Sequence, residues 1–477
     1  MTTKHIKPAM LIRFFIKLKK ASLALGGSFW FAPLVMLAVS IALALNLTIY
    51  SSVELSLLTL VGLNDLDAAR GMIDMVASSA ISVISIAFSM TLVALVMASS
   101  QFGPRIIRSF MESKKTQFTL GLFTSVYAFS LIIFTRLSEE GRAAYQVEAE
   151  QVYLGYPAFI VFFLAIICVI ALIFFIHHVA SSIQADNVVE GISESLLHDI
   201  KSLQNHHSAK RREDVSEKQG RALNTEESDF LEHDFVKRHA LVHKKVFYAE
   251  SSGYIQAIEY DGLANFALQH NAFVSLNSRA GKYLLCGSPI LTVYASASVD
   301  KLTNADLNRF VELGPKRTAL QDPEYAVNQL VEIALRALSP SMDDPYTAIN
   351  CIDKIACAIG TFTANNLPNN YISDAKGTLR LRSCDESFDD IFANAFNQIR
   401  QAAVLRPAVL CHLLETFNAL LVASQQAEHL IEPIARQTKA LRELFLKRNE
   451  LHAELDLASI NSRLLQLDAL PIDINHK

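Results

Sequence analysis

Four long segments without a charged residue lie in the first 190 residues, and they constrain the fold more than any other feature. A helix needs roughly 20 apolar residues to cross the hydrocarbon core of a bilayer, and each segment supplies them. The segments are residues 21–53, 75–104, 116–135 and 151–185. We therefore predict an α-helical membrane protein whose transmembrane domain, residues 1–185, has four spans at about residues 29–49, 75–99, 116–135 and 156–176.

The remaining residues have an ordinary globular composition and predict a cytoplasmic α+β region. Residues 186–244 read as a helix followed by a polar linker. Residues 245–300 contain short β-rich runs separated by glycines and predict a small β-rich, barrel-like module, whose closing phrase around Gly281 and Gly287 resembles a barrel-sandwich module of lipoyl or adaptor type. Residues 301–477 predict a helical bundle.

Positive charge predicts the orientation of the spans, because Lys and Arg accumulate in short cytoplasmic loops. The segment before span one and the loop between spans two and three hold ten Lys and Arg residues, whereas the two opposite loops hold three. We expect a multi-pass protein of the bacterial inner membrane with both termini in the cytoplasm.

Composition and motifs exclude several function classes from the prediction. A net charge of −4 does not favour nucleic acid as a partner. The six cysteines contain no CxxC pair, which predicts free thiols in a reducing compartment. The sequence has no phosphate-binding loop, dinucleotide fingerprint, nucleophile elbow or HExxH motif. We expect no enzyme activity, no cofactor and no metal site.

Predicted span two carries a stripe of hydroxyl side chains along one helix face. Its four central serines fall within about a 60° arc at 100° per residue. The stripe consists of Ser78, Ser82, Ser85, Ser89, Val93, Val96 and Ser100. One interpretation is close helix packing through small and hydroxyl residues. The other is a hydrated path that narrows at the two valines, which requires several copies of the helix and so predicts a homo-oligomer.

Two helix starts share one pattern, Asp322-Pro323 and Asp344-Pro345. Asp is a favourable N-cap and Pro a favourable first helical residue, so each pair predicts the start of a helix. Asp343 and Asp344 also form a candidate ligand-binding cluster, although capping by itself accounts for Asp344.

Four separated phrases resemble those of a family of bacterial predicted multi-pass membrane proteins of unknown function. They are SSQFGPR at residues 99–105, IHHVASSIQ at 176–184, GYIQA at 253–257 and EIALRALSPSMDDPYTA at 332–348. The resemblance implies a multi-pass inner-membrane protein and no established activity. Within the first phrase, Gly103-Pro104 predicts the end of span two, and Gln101 and Arg105 are candidate anchors at the membrane face.

Two function hypotheses follow from these patterns. The first is an oligomeric channel or passive transporter for ions or small solutes, with the cytoplasmic region as its gating or assembly domain. The second is a membrane-anchored sensor or scaffold whose cytoplasmic region binds a small molecule or a protein partner. In both, the lipid bilayer is a partner of the chain.

Overall fold

The computed structural model describes residues 29–50, 66–111, 113–137, 155–208, 235–364, 371–374, 378–384, 388–423, 428–447 and 454–468. The chain divides into two compact units, residues 1–187 and 188–477. We call them the N-terminal unit and the C-terminal unit.

The N-terminal unit is helical, and its central helix contacts three others. Its helices are α1 (Phe31–Tyr50), α2 (Leu66–Phe102), α3 (Ile106–Met111), α4 (Lys114–Leu137) and α5 (Gly155–Ser182). Helix α4 packs against α1, α2 and α5. It approaches α1 closely at Gly121, where a Cβ atom would lie 2.6 Å from the sulfur of Met36. Ser40 of α1 also donates a hydrogen bond of 2.7 Å to the carbonyl of Ser125.

Three helices of the described chain are long and apolar enough to cross a membrane. They are Ala69–Phe102, Lys114–Arg136 and Pro157–Ser182, and they coincide with predicted spans two, three and four. The residues of predicted span one form helix α1, a 20-residue helix without a charged residue. The described residues therefore show three candidate spans, and the fourth span at α1 stays a prediction.

The C-terminal unit combines helices with two sheets. Helix α6 (Ala185–Ser208) belongs to this unit from residue 188 onward. The first part of the unit then contains β1 (His243–Tyr248), β2 (Gly253–Ile258), α7 (Tyr260–Gln269), β3 (Ala272–Leu276), β4 (Tyr283–Leu284), β5 (Pro289–Ala295), α8 (Asn304–Asn308) and β6 (Val311–Gly314). Its second part contains α9 (Pro323–Ala337), α10 (Pro345–Ala364), β7 (Tyr371–Ser373), β8 (Leu379–Arg382), α11 (Phe388–Ala403), α12 (Pro407–Ala423), α13 (Glu428–Leu446) and α14 (Glu454–Asp468).

The β-rich runs predicted within residues 245–300 are strands, but the described strands do not close into a barrel. One sheet has the order β1-β5-β3-β8-β7 and the other has the order β4-β2-β6. Strand β8 lies parallel to β3, and all other pairs are antiparallel. The predicted barrel-like module is therefore not confirmed. Strands β6, β7 and β8 come from the region that was predicted to be only helical, and they extend the two sheets as open layers.

Both sheets share one hydrophobic core. Val274 and Leu291 of the larger sheet, Ile255 of the smaller sheet and Leu263 of α7 belong to the same buried cluster. The helices that come after the sheets in the chain pack against one another: α9 contacts α10 and α11, α10 contacts α12, and α11 contacts α13. Two phenylalanines of α11 and one of α12 form an aromatic centre there: Phe392, Phe396 and Phe417.

Candidate functional site

Helix α2 has two contrasting faces. Its inner face is built largely from alanines, whose small side chains let α4 and α5 approach closely. The buried residues of this face are Ala69, Ile73, Ala77, Ala80, Ala87, Thr91, Ala94 and Ala98. Helical periodicity then directs the residues on the opposite side away from the other helices of the chain.

The hydroxyl stripe occupies that opposite side. All seven predicted residues are exposed in a single chain: Ser78, Ser82, Ser85, Ser89, Val93, Val96 and Ser100. The two valines expose 55% and 61% of their surface. Within one chain, the stripe is thus a continuous outward face and is not buried between helices.

Several hydroxyls of this face bond to their own helix. Ser85 donates a hydrogen bond of 3.0 Å to the carbonyl of Ile81, and Ser100 donates one of 2.9 Å to the carbonyl of Met97. Such bonds satisfy the O–H donor while the hydroxyl oxygen keeps acceptor capacity. The face therefore tolerates an apolar surrounding and also offers acceptor oxygens to water or a cation.

The end of α2 follows the predicted Gly-Pro signal. The helix ends at Phe102, and Gly103 adopts a φ of +102°, a conformation that favours glycine. Gln101 is half-buried and Arg105 is exposed just beyond the turn. Both candidate anchor residues thus lie at the end of a candidate span.

The structure separates the roles of Asp343 and Asp344. Asp344 caps α10, because its carboxylate accepts hydrogen bonds of 3.1 Å from the backbone N–H of Thr347 and 2.6 Å from the Thr347 hydroxyl. Asp343 has a φ of +46° and pairs with Arg406, with a distance of 2.8 Å between Nε and Oδ1. The carboxylates are neighbours in sequence, but each has its own protein partner.

A buried charge cluster, which sequence reasoning missed, lies at the start of α9. Arg317 makes a bidentate pair with Asp322, with distances of 2.5 and 2.9 Å, and its Nη2 is 2.6 Å from Oε2 of Glu324. Arg279 donates a bond of 2.9 Å to the same carboxylate oxygen, and Asn394 of α11 donates to Oε1. Two positive and two negative side chains thereby balance one another inside the C-terminal unit.

This cluster corrects the capping role predicted for Asp322. Helix α9 does begin at Pro323, but the Asp322 side chain makes no capping hydrogen bond. Arg317 binds the carboxylate instead, and Gly281, with a φ of +84°, packs against it. The only local sequence signal for these ion pairs was Arg317, five residues before Asp322. Nothing in the sequence indicated that Arg279, 43 residues before Asp322, would join them.

The ion pairs determine the charge state of the cluster. Burial by itself would raise the pKa of Glu324, but hydrogen bonds and charges from Arg279 and Arg317 outweigh burial and lower that pKa. Burial likewise opposes the charge of Arg317, yet Asp322 and Glu324 raise its pKa. Glu324 and Arg317 are therefore ionised at neutral pH, and the four side chains bind one another.

Other ionisable groups of the C-terminal unit show no grouping suited to a metal. Across the described ranges, no set of three His, Cys, Asp or Glu side chains is placed to hold a metal ion. All six cysteines are unpaired, as predicted, and burial raises the pKa of Cys351 to about 12. That thiol is a core side chain.

Comparison with known proteins places the chain in a family. The family described as "Predicted membrane protein (DUF2254)" matches residues 26–419. The chain belongs to this family. The match extends over both units and includes all four phrases on which the resemblance was based.

The curated relatives are mycobacterial. The chain is 27% identical over 401 residues to "Uncharacterized protein MT1328" of Mycobacterium tuberculosis (strain CDC 1551 / Oshkosh), a match that covers 82% of the chain and 70% of the relative. "Uncharacterized protein Mb1321c" of Mycobacterium bovis matches with the same identity and the same coverage. No solved structure matches the chain.

Proposed function

We propose that this membrane protein assembles as a homo-oligomer and forms a passive path for ions or small solutes, with the hydroxyl stripe of α2 facing the axis. The observation that carries the proposal is the outward position of the whole stripe. The alanine face of α2 already packs against helices of its own chain, so the stripe is the face left for a neighbouring copy or for water.

The chemistry of the stripe suits weakly selective conduction. Serine hydroxyl oxygens replace part of the hydration shell of a small cation, and adjacent exposed valines form a constriction that empties of water when it narrows. One chain has too few spans to enclose a path, so conduction requires several copies around an axis. No charged residue lies within residues 75–104, which does not favour a proton-coupled carrier.

The proposal includes four spans in the bacterial inner membrane, with both termini in the cytoplasm. The ten-to-three bias of Lys and Arg supports this orientation, and a fourth span at α1 gives the even number that two cytoplasmic termini require. Reporter fusions after residues 20, 60, 145 and 477 test it. Cytoplasmic signal from the first and last fusions and periplasmic signal from the other two is the expected pattern.

Solute flux from liposomes tests the conduction path. We expect Ser85→Leu to reduce flux at least tenfold and Val93→Ser to increase it, since one substitution blocks the path and the other wets the constriction. Val169→Ser is the matched control, because Val169 of α5 is exposed to a similar degree, 61% against 55% for Val93, and lies outside the stripe. Equal flux in all variants of a conducting protein would reject the assigned lining.

A sensor or scaffold is the second candidate, and one surface of the C-terminal unit favours it. Tyr346 exposes 81% of its surface at the start of α10, near the Asp343–Arg406 ion pair, and Met342 and Leu405 are also exposed beside that pair. Exposed apolar side chains on a folded unit are typical of binding surfaces. Liposomes that show no flux above protein-free vesicles, for ions and for small solutes, would favour this candidate.

A further inference from the structure

The connection between α2 and α4 concentrates positive charge. Residues 103–117 contain Arg105, Arg108, Lys114 and Lys115 and one acid, Glu112. The two lysines are the first residues of α4, and the first turn of that helix contains no acidic residue. A helix N-terminus already carries partial positive charge, so these lysines add to it instead of offsetting it.

The last two turns of α5 bring imidazoles to the same place. Nε2 of His178 lies 3.2 Å from the hydroxyl of Ser113, the residue before α4. Lys115 of α4 is close enough to act electrostatically on the His178 ring. Two lysines at the start of α4 and an imidazole of α5 therefore lie at the same end of the N-terminal unit.

Packing holds the segment that carries Lys114 and Lys115 next to His178. Phe110 of α3 belongs to a buried cluster with Phe123 of α4 and with Phe175 and Val179 of α5. The side-chain amide of Gln117 donates a hydrogen bond of 3.0 Å to the carbonyl of Met111. The connection is consequently fixed to the ends of both candidate spans, where a bilayer has its headgroups.

Exposed apolar side chains lie near Lys115 on α4 and near His178 on α5. Phe118 follows Lys115 by three residues on α4 and exposes 59% of its surface, and Phe174 precedes His178 by one turn on α5 and is also exposed. The ring of Phe174 stacks on the His178 ring. The surface is therefore positive at the end of the spans and apolar one turn further into the bundle, which matches a phosphate headgroup followed by an acyl chain.

We propose that Lys114, Lys115 and His178 bind the phosphate of an anionic phospholipid, with the acyl chain against Phe118 and Phe174. Basic sites between transmembrane helices at the membrane face recognise such headgroups. This inference rests on α4 and α5 spanning the bilayer, as in the proposed topology. It does not depend on conduction.

The test measures lipid binding by the purified full chain in detergent. Native mass spectrometry and thermal unfolding are followed with added phosphatidylglycerol, with phosphatidylcholine, and with glycerol 1-phosphate as a soluble anion. We expect wild-type protein to retain phosphatidylglycerol at least tenfold better than phosphatidylcholine and to be stabilised by it, with no stabilisation by glycerol 1-phosphate.

The variant Lys115→Gln/His178→Gln should lose this preference, and Lys301→Gln/His243→Gln is the matched control with the same substitutions in the C-terminal unit. Equal retention of both lipids by wild-type protein would overturn the proposal even if the first variant failed to fold. An equal effect of glycerol 1-phosphate would indicate a soluble anion, and an equal loss in the control would indicate unspecific charge; both results overturn it. If the wild-type protein shows no solute flux but still prefers phosphatidylglycerol, only the proposed conduction path is rejected.

Discussion

Helix α2 of the N-terminal unit and the charge cluster of the C-terminal unit place their polar groups in opposite ways. Helix α2 of the N-terminal unit turns its alanines inward and its serines outward, and large apolar side chains such as Leu92 and Val96 are also exposed. The charge cluster of the C-terminal unit instead turns polar groups inward: Arg279, Asp322 and Glu324 are buried, and Arg317 is half-buried beside them. The difference fits an apolar surrounding for α2, in which small residues let helices pack closely and hydrophobic burial drives their association less than in water.

Glu324→Gln should have the largest effect, because it leaves the buried Arg279 and the half-buried Arg317 with one carboxylate. Breaking a buried pair by removing one partner costs about 3–5 kcal/mol. Thermal unfolding of the full chain should show a fall of the midpoint for the C-terminal unit. Glu332→Gln is the control on the same helix, since Glu332 and Arg336 form a half-exposed i,i+4 pair that contributes only about 0.2–0.5 kcal/mol. Similar midpoints for the two variants would contradict the role of the cluster.

The same cluster predicts a dependence of stability on pH. Because the pKa of Glu324 is lowered from its usual 4.5 in the folded protein, its stabilisation is fully present above that value and is lost as the pH falls through the folded pKa. The midpoint of the wild-type protein should therefore fall more steeply than that of Glu324→Gln below about pH 4.5. Parallel curves from pH 6 to pH 3 would disprove this contribution.

Gly281→Ala should act on the cluster from the β-rich part. The φ of +84° is unfavourable for alanine, and the new Cβ would meet a carboxylate oxygen of Asp322 at 2.2 Å. We expect a loss of about 1–3 kcal/mol from the backbone alone. Gly287→Ala is a useful control, since its φ of +85° is similar but no atom lies within 4 Å of the added Cβ. The difference between the two midpoints measures the contact with Asp322.

Ala87→Leu and Ser89→Leu compare the two faces of α2 directly. Overpacking at the fully buried Ala87 should destabilise the N-terminal unit by about 1–3 kcal/mol. The same side chain at the exposed Ser89 should leave thermal stability of the monomer in detergent nearly unchanged. A larger loss at Ser89 would mean that the outward face of α2 is wrongly assigned.

Asp344→Ala should have the smallest effect, about 1 kcal/mol, because it removes the N-cap of one helix. The fall in the midpoint of thermal unfolding should be much smaller than the fall caused by Glu324→Gln. Asp322→Ala should be far more costly than Asp344→Ala, although both residues precede a proline at a helix start. Equal losses would mean that the two helix starts are used in the same way.

Much of the N-terminal unit was predictable because its signals are local. A run without charge predicts a spanning helix, and three of the four predicted spans coincide with helices of sufficient length. The spacing of Ser78 and its partners predicts a stripe, and Gly103 predicts the end of the helix. Predicted span one, residues 29–49, also coincides with a helix, Phe31–Tyr50, and its crossing of the membrane stays a prediction.

The C-terminal unit was less predictable because its decisive contacts join distant residues. Strand β8 completes the larger sheet by pairing with β3, about 100 residues earlier in the chain, so no local pattern could reveal an open sheet. Asp322 and Asp344 have the same local pattern, yet one is paired with an arginine and the other caps a helix. Local propensity predicts where each helix starts, and the neighbours in space decide what its side chain binds.

The sequence by itself determined the charge-free helices, the serine spacing on α2 and both Asp-Pro helix starts, because each depends on residues within a few turns of one another. Only the tertiary structure decided which face of α2 is outward, how the strands pair and which carboxylates are neutralised by Arg279 and Arg317. Those outcomes depend on packing between segments that are far apart in the chain, and packing selects one partner among many that local chemistry allows.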